Sequence, residues 1–203
     1  MRHRFGWLVV AASLVCAPPV WATTYTIDKD HTTIGFKIRH LFSNVKGTFD
    51  QLDGTFVYVP DKPDQWTAAA TIQAASINTR VEKRDNHLRS PDFFEVEKYP
   101  TITFKSTGVT DATPTGAKLH GLLAIHGVEK PVVLDLEIHG EGKDPWGNQR
   151  SGVTATARIN RKEFGLNWNQ ALETGGVLVG DDVDIILEIE GLAKEEPAPK
   201  PGS

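Results

Sequence analysis

Seven histidines, 26 carboxylates and one cysteine are the groups in this 203-residue chain that could do chemistry. Their spacing argues against most of it. Six histidines lie beyond residue 22: His31, His40, His87, His120, His126 and His139. None forms an HExxH or HxH pair, the arrangements that set two imidazoles on one metal. His120 and His126 stand six residues apart. That is about 20 Å along a strand, too far to share an ion. Asp92 and Glu95 read as helix-cap or surface groups rather than as an acid–base pair. No GxSxG elbow, Walker loop or dinucleotide glycine pattern occurs. The lone cysteine, Cys16, falls in the N-terminal segment. The expectation is a protein that is not an enzyme, with no catalytic residue, no metal and no cofactor.

What the chain does supply is apolar bulk. Phe36, Phe49, Phe56, Phe93, Phe94, Phe104, Phe164 and Trp168 are many large rings for one core. Ala68, Ala70, Ala74, Ala155 and Ala157 are small residues on the same parity as large neighbours. Facing a shared interior, these residues either interdigitate into a solid core or leave a hollow beside the rings that holds one small ligand. The pattern is compatible with both.

The elements that would position them alternate with a period of two, the signature of half-buried strands. Thr33–Leu41 sets Ile34, Phe36 and Ile38 on one face against Lys37 and Arg39. Thr55–Val59 is apolar. Trp66–Ile77 is rich in alanine, yet Ala68, Ala70, Ile72 and Ala74 alternate with Thr and Gln. Five more runs follow: Thr101–Val109, Lys118–His126, Val132–Ile138, Gly152–Asn160 and Val183–Ile189. Turn residues such as Pro60-Asp61, His126-Gly127 and Gly175-Gly176 separate these segments. Eight amphipathic strands at even spacing predict a closed antiparallel barrel, with a two-sheet sandwich as the alternative. Two segments break the alternation, Val81–Phe94 and Asn167–Val179; both are expected to hold short helices at the barrel mouth.

The ends read differently. Residues 1–22 carry Arg2 and Arg4, then an apolar stretch from Phe5 to Ala17, and small residues up to Ala22. That is the pattern of a secretory signal. Residues 23–193 would be the folded barrel, and residues 194–203 a charged, Pro-rich disordered tail. With Cys16 removed, the exported chain has no disulfide to rely on and must be held by its core. The net charge of −4 and the absence of basic runs argue against nucleic acid as a partner. No apolar stretch reaches the roughly 18 residues of a spanning helix.

At this level the chain resembles the YceI-like family. The resemblance rests on Asp28-Lys29-Asp30-His31-Thr32 with Ile34-Gly35-Phe36 and His40, and on Val45-Lys46-Gly47-Thr48-Phe49. Its most specific block runs from Arg84-Asp85-Asn86-His87-Leu88-Arg89-Ser90-Pro91-Asp92-Phe93-Phe94 to Tyr99-Pro100-Thr101-Ile102-Thr103-Phe104-Lys105-Ser106. Gly121–Val128, Arg161–Leu166 and Gly180–Ile185 extend it over essentially all of the chain beyond the signal segment. Glu95 departs from the family's common Asp, a conservative change.

The resemblance implies an all-β, lipocalin-like, eight-stranded antiparallel barrel. It also implies a hydrophobic channel for a polyisoprenoid, an isoprenoid quinone or a related long-chain lipid, a periplasmic location and often a homodimer. Carried onto this chain, the lining is Phe36, Ile38, Ile72, Phe104, Leu123, Ile125, Leu134 and Leu136. The mouth is Leu88, Phe93, Phe94 and Trp168. His31, Arg84, His87 and Arg89 are the candidates for a ligand's head group. Transient membrane contact is a further expectation. Three alternatives stay open: a solid-core stress or interaction protein, an enzyme acting on a bound lipid through His40 or His87, and an outer-membrane barrel.

Overall fold

The computed structural model describes residues 22–172 and 177–194. The expected signal segment, Ala22 apart, and all but the first residue of the expected tail therefore lie outside the described residues. Among the described residues eleven strands are formed: β1 (Thr23–Ile27), β2 (Thr33–His40), β3 (Ser43–Phe49), β4 (Leu52–Tyr58), β5 (Thr67–Gln73), β6 (Ile77–Asn78), β7 (Thr101–Thr113), β8 (Gly116–Ile125), β9 (Val128–Lys143), β10 (Gln149–Asn160) and β11 (Val179–Ala193). One α-helix, α1 (Glu82–Arg89), follows β6. No helix among the described residues is long and apolar enough to cross a membrane.

The eleven strands make eight staves. β1 and β2 together run antiparallel to the whole length of β11, from Tyr25 opposite Ala193 to His40 opposite Val179. β3 and β4 pair with β2 and β1 in the same order. β5 and β6 pair with β4 and β3. From β7 to β11 each stave is a single strand paired with its predecessor, and the contact of β1 with β11 closes the ring. The eight expected strands correspond one to one with these eight staves. The alternation missed β1 and β3 as strands because polar residues at the breaks interrupt it. Those breaks are themselves bonded: Ser76, in the turn between β5 and β6, accepts from the Asp50 N–H at 3.2 Å through its carbonyl and from the Gln51 N–H at 3.1 Å through its hydroxyl. The β3–β4 and β5–β6 breaks thus fall at one level of the barrel.

The alanine-rich β5 is strand rather than helix because Ala68, Ala70 and Ile72 are needed on one face of a sheet that only neighbouring staves complete. The expected helix in Val81–Phe94 is α1. The one expected in Asn167–Val179 is absent from its described part, where Ala171 forms a bridge with Val177 instead. A short 3-10 turn, Arg161–Phe164, precedes that segment.

Charged residues sit on the outer faces and pair across strands: Lys118 with Asp135 at 2.6 Å, Arg158 with Asp184 at 2.6 Å and Lys37 with Asp184 at 2.9 Å. This polarity, charged outside and apolar inside, is the inverse of a transmembrane barrel.

Candidate ligand channel

A single strand parity decides what faces the barrel axis. Ile34, Phe36 and Ile38 on β2, Leu119, Leu123 and Ile125 on β8, Val132, Leu134, Leu136 and Ile138 on β9, and Val183, Ile185, Leu187 and Ile189 on β11 all line one interior cavity of about 650 Å3. Ile72 and Phe104 line it as well. The hollow survives because the rings lie flat. A side chain on Gly47 would strike the Phe36 ring at 2.4 Å, and one on Gly121 would strike the Phe104 ring at 2.4 Å. Each ring therefore folds over a glycine of the adjacent strand rather than across the axis. Ala68 and Ala70 on β5 and Ala155 on β10 add small side chains to the lining. Ala74 is buried in a cluster with Ile102, Phe164 and Leu166, and Ala157 packs against Leu119, Leu134 and Ala155. The solid-core alternative fails on this geometry. Along β11 the lining extends from Val179 to Ile189, about 25 Å once the strand tilt of a barrel is allowed for.

One end opens at α1. Exposed Val81 and Lys83 belong to the lining there, with His40, Arg84, His87 and Leu88. The expected mouth residues Phe93, Phe94 and Trp168 are all present. His87 stands edge-on to Phe93 and to Trp168, at 5.1 and 4.9 Å between centroids, and Phe93 and Trp168 are 5.2 Å apart. Phe94 meets Phe49 edge-on deeper in. The His87 Nε2 lies 2.8 Å from Asp92 Oδ2. A carboxylate only accepts, so Nε2 carries a proton, and in the neutral ring Nδ1 is the acceptor.

The helix at this mouth is tied down from beneath. The buried Asp85 carboxylate accepts from the Thr79 N–H at 2.9 Å and from its hydroxyl. Arg84 donates through Nε to Thr79 Oγ1 at 2.7 Å and through its terminal nitrogen to the Thr79 carbonyl at 2.8 Å.

Arg161, which spacing did not single out as a site residue, is 3% exposed and lines the channel. Its guanidinium donates to the carbonyls of Gly180, Leu166 and Trp168, so it pins the Trp168 segment to β11. Burial pushes its pKa below the usual arginine value. Arginine is mostly a surface residue, and its carbonyl partners come from two segments, Leu166 and Trp168 in the loop after the 3-10 turn and Gly180 on β11. No local pattern could have signalled its role.

Two head-group candidates do not reach the channel. Arg89 turns away to the carbonyls of Ala75 and Ile77 and to Asn86. His31 sits in the turn after β1, paired with Asp28 at 2.8 Å, toward the opposite end. Both residues lie within family-like motifs, but their side chains satisfy backbone and turn groups locally.

That opposite end is closed. Trp66 is 8% exposed and donates its indole N–H to the Val59 carbonyl at 2.6 Å. Tyr25 is fully buried, stacks on Phe56 at 5.0 Å and donates to Glu141 Oε2 at 2.6 Å. Burial and that carboxylate push the Tyr25 phenol well above its usual pKa. Arg150 binds Asp144 at 2.8 Å, Asp28 at 2.7 Å and Glu190. The guanidinium holds the Asp28 and Asp144 carboxyls well below the usual range. Asp28, His31 and Glu190 bring three ligand atoms within 4.8 Å, the geometry of a metal site. Arg150 already occupies the space between the two carboxylates, and a cation there would have to displace it.

The YceI-like domain model matches residues 25–191. A UPF0312 protein of Azotobacter vinelandii is 36% identical over 95% of this chain and 98% of its own length. The crystal structure of a Campylobacter jejuni YCEI protein is 36% identical, covers 83% of this chain and 96% of its own, and superposes with a TM-score of 0.68. A polyisoprenoid binding domain from Saccharophagus degradans shares the fold at 17% identity, with a TM-score of 0.62 over 84% of this chain and 98% of its own.

Proposed function

This chain belongs to the YceI-like family, and from that premise we propose that it is a periplasmic carrier. Its ligand would be a polyisoprenoid or related long-chain amphiphile, such as an isoprenoid quinone, held non-covalently in the channel. The observation that carries the reading is the distribution of polarity. The channel is lined by apolar side chains from end to end, and its cations and imidazoles (His40, Lys83, Arg84, His87 and Arg161) gather at the open end. That is the outline of a molecule with one long tail and one polar head. The volume of about 650 Å3 falls within the range of pre-formed ligand pockets. The ligand class is also that of the Saccharophagus degradans domain of the same fold.

Burying a methylene is worth about 0.8 kcal/mol, and a five-carbon isoprene unit roughly 3. From water, a few units give tight binding. From a bilayer, where the tail is already dry, transfer is close to neutral, which suits exchange rather than sequestration. The closed end stops the tail, and the ring cluster of His87, Phe93 and Trp168 sits where the head would lie. There His87 Nδ1 is free to accept from an alcohol or hydroquinone, and Arg84 supplies positive charge. Residues 1–22 serve in this reading as the export signal and residues 194–203 as a tail.

Extraction of the chain from the periplasm under native conditions, followed by mass spectrometry, tests the reading. A bound isoprenoid lipid is expected, and Ala155→Trp, which fills mid-channel, is expected to be recovered empty. Displacing one isoprene unit forfeits on the order of a hundredfold in affinity. Repeated recovery of empty wild-type protein that takes up neither quinone nor isoprenoid alcohol overturns the proposal.

A further inference from the structure

We infer that the channel's open end docks on the surface of an anionic phospholipid bilayer, with Phe42 inserted among the lipids and the surrounding cations on their phosphates. The purpose of such docking rests on the carrier reading; the surface itself is read from geometry alone.

Phe42 is 92% exposed, the most exposed large apolar residue among the described ones. It stands at the tip of the β2–β3 hairpin, and the tip is braced. The Leu41 N–H donates to the Leu178 carbonyl at 3.0 Å, and Arg39 Nε donates to the Leu41 carbonyl at 2.7 Å. The ring is therefore held out in solvent by a fixed backbone. Val177, 51% exposed, adjoins Leu178, and Val81, 46% exposed, belongs to the channel lining at the same end. Large apolar groups gathered in this way mark a binding surface rather than random exposure.

The charges select the partner. Arg39, Lys46, Arg80 and Lys83 are exposed, and among the described residues none has a carboxylate within 4.0 Å. Glu82 lies among them, and Asp181 and Asp182 stand in the β11 bulge opposite Arg39, Asp181 engaged by Arg161 and Lys162. At the closed end Arg150 is held by three carboxylates, and Lys143 is exposed there without one among the described residues. Unpaired cations around an exposed ring complement a surface that is anionic at the phosphates and apolar beneath them. Docked in this orientation, the mouth opens directly into the interface. A tail then enters without crossing water, where each exposed methylene costs about a factor of four.

The test is sedimentation of the purified chain with vesicles of phosphatidylcholine, with and without phosphatidylglycerol, and in parallel the loading of a long-chain quinone from detergent micelles. Retention is expected on the anionic vesicles and is expected to weaken with added salt. Phe42→Ser should weaken retention by on the order of tenfold or more, and Arg39→Gln by about fivefold. Trp146 is 81% exposed but lies in the β9–β10 turn at the closed end, so Trp146→Ser should match the wild type. Micelle loading should be unchanged in Phe42→Ser and in Arg39→Gln, since neither side chain lines the channel. Absence of retention on anionic vesicles overturns the docking inference. So does retention undiminished by Phe42→Ser, or a loss for Trp146→Ser as large as for Phe42→Ser. A chain that sediments with vesicles but never loads from micelles removes the carrier reading and keeps the docking surface. A chain that loads but is not retained does the reverse.

Discussion

The two ends of this barrel are built from different physics. The closed end is held by directional bonds: Trp66 to the Val59 carbonyl, Tyr25 to Glu141, and Arg150 among Asp28, Asp144 and Glu190. The open end is made of ring edges, a two-turn helix bonded to Thr79 through Asp85 and Arg84, and one buried arginine that bonds carbonyls and the more distant Asp181. Hydrogen bonds and ion pairs fix a geometry, because a misplaced donor forfeits its partner. Ring contacts tolerate sliding, because dispersion depends weakly on register. One end can therefore act as a wall while the other lets a guest pass.

Matched tryptophan truncations give the sharpest contrast. Trp66→Ala removes a buried ring and orphans a carbonyl acceptor, and is expected to cost about 3–5 kcal/mol of stability in denaturant melts. Trp168→Ala should cost under about 1 kcal/mol and instead weaken ligand affinity on the order of tenfold. Equal destabilisation by both would dissolve the distinction between wall and mouth.

Next in size is Asp85→Ala. The Thr79 N–H and hydroxyl lose their acceptor, worth about 1–3 kcal/mol. The loss should be local, visible as faster hydrogen exchange in α1 with β8 to β10 unchanged. Exchange that accelerates equally throughout would show that α1 is integral to the barrel rather than a cover.

The smallest effect is a pH dependence confined to the closed end. Asp28 and Asp144 titrate below their ordinary value of 3.8 because Arg150 stabilises the carboxylates. A depressed folded-state value stabilises the fold above the unfolded pKa and is lost as pH falls toward the folded one. Melting temperature should therefore decline as pH drops below about 4, and Arg150→Gln should flatten that limb. An unchanged limb in the variant would assign it to other carboxylates.

Much of this architecture was legible as alternation. The inward parity of Phe36, Ile38, Ile72, Phe104, Leu123, Ile125, Leu134 and Leu136 follows from apolar residues every second position, since successive side chains of a strand point to opposite faces. The motif from Arg84 to Phe94 placed Leu88, Phe93 and Phe94 near one another through local sequence alone. His31 and Arg89 stood in equally suggestive motifs and were misplaced, because a charged side chain goes to whichever acceptors tertiary contact brings within reach. The described part of Asn167–Val179 is not helical for a related reason: Arg161 and the Ala171 bridge offer its backbone other partners.

The sequence by itself determined that eight strands would turn apolar faces toward one another. Whether those faces would meet in a solid core or around a hollow was decided only in three dimensions. The outcome depends on Phe36 finding Gly47 and Phe104 finding Gly121 across strand pairs set by register. Volume is a property of neighbours, and a linear pattern names which residues face inward without saying which of them stand side by side.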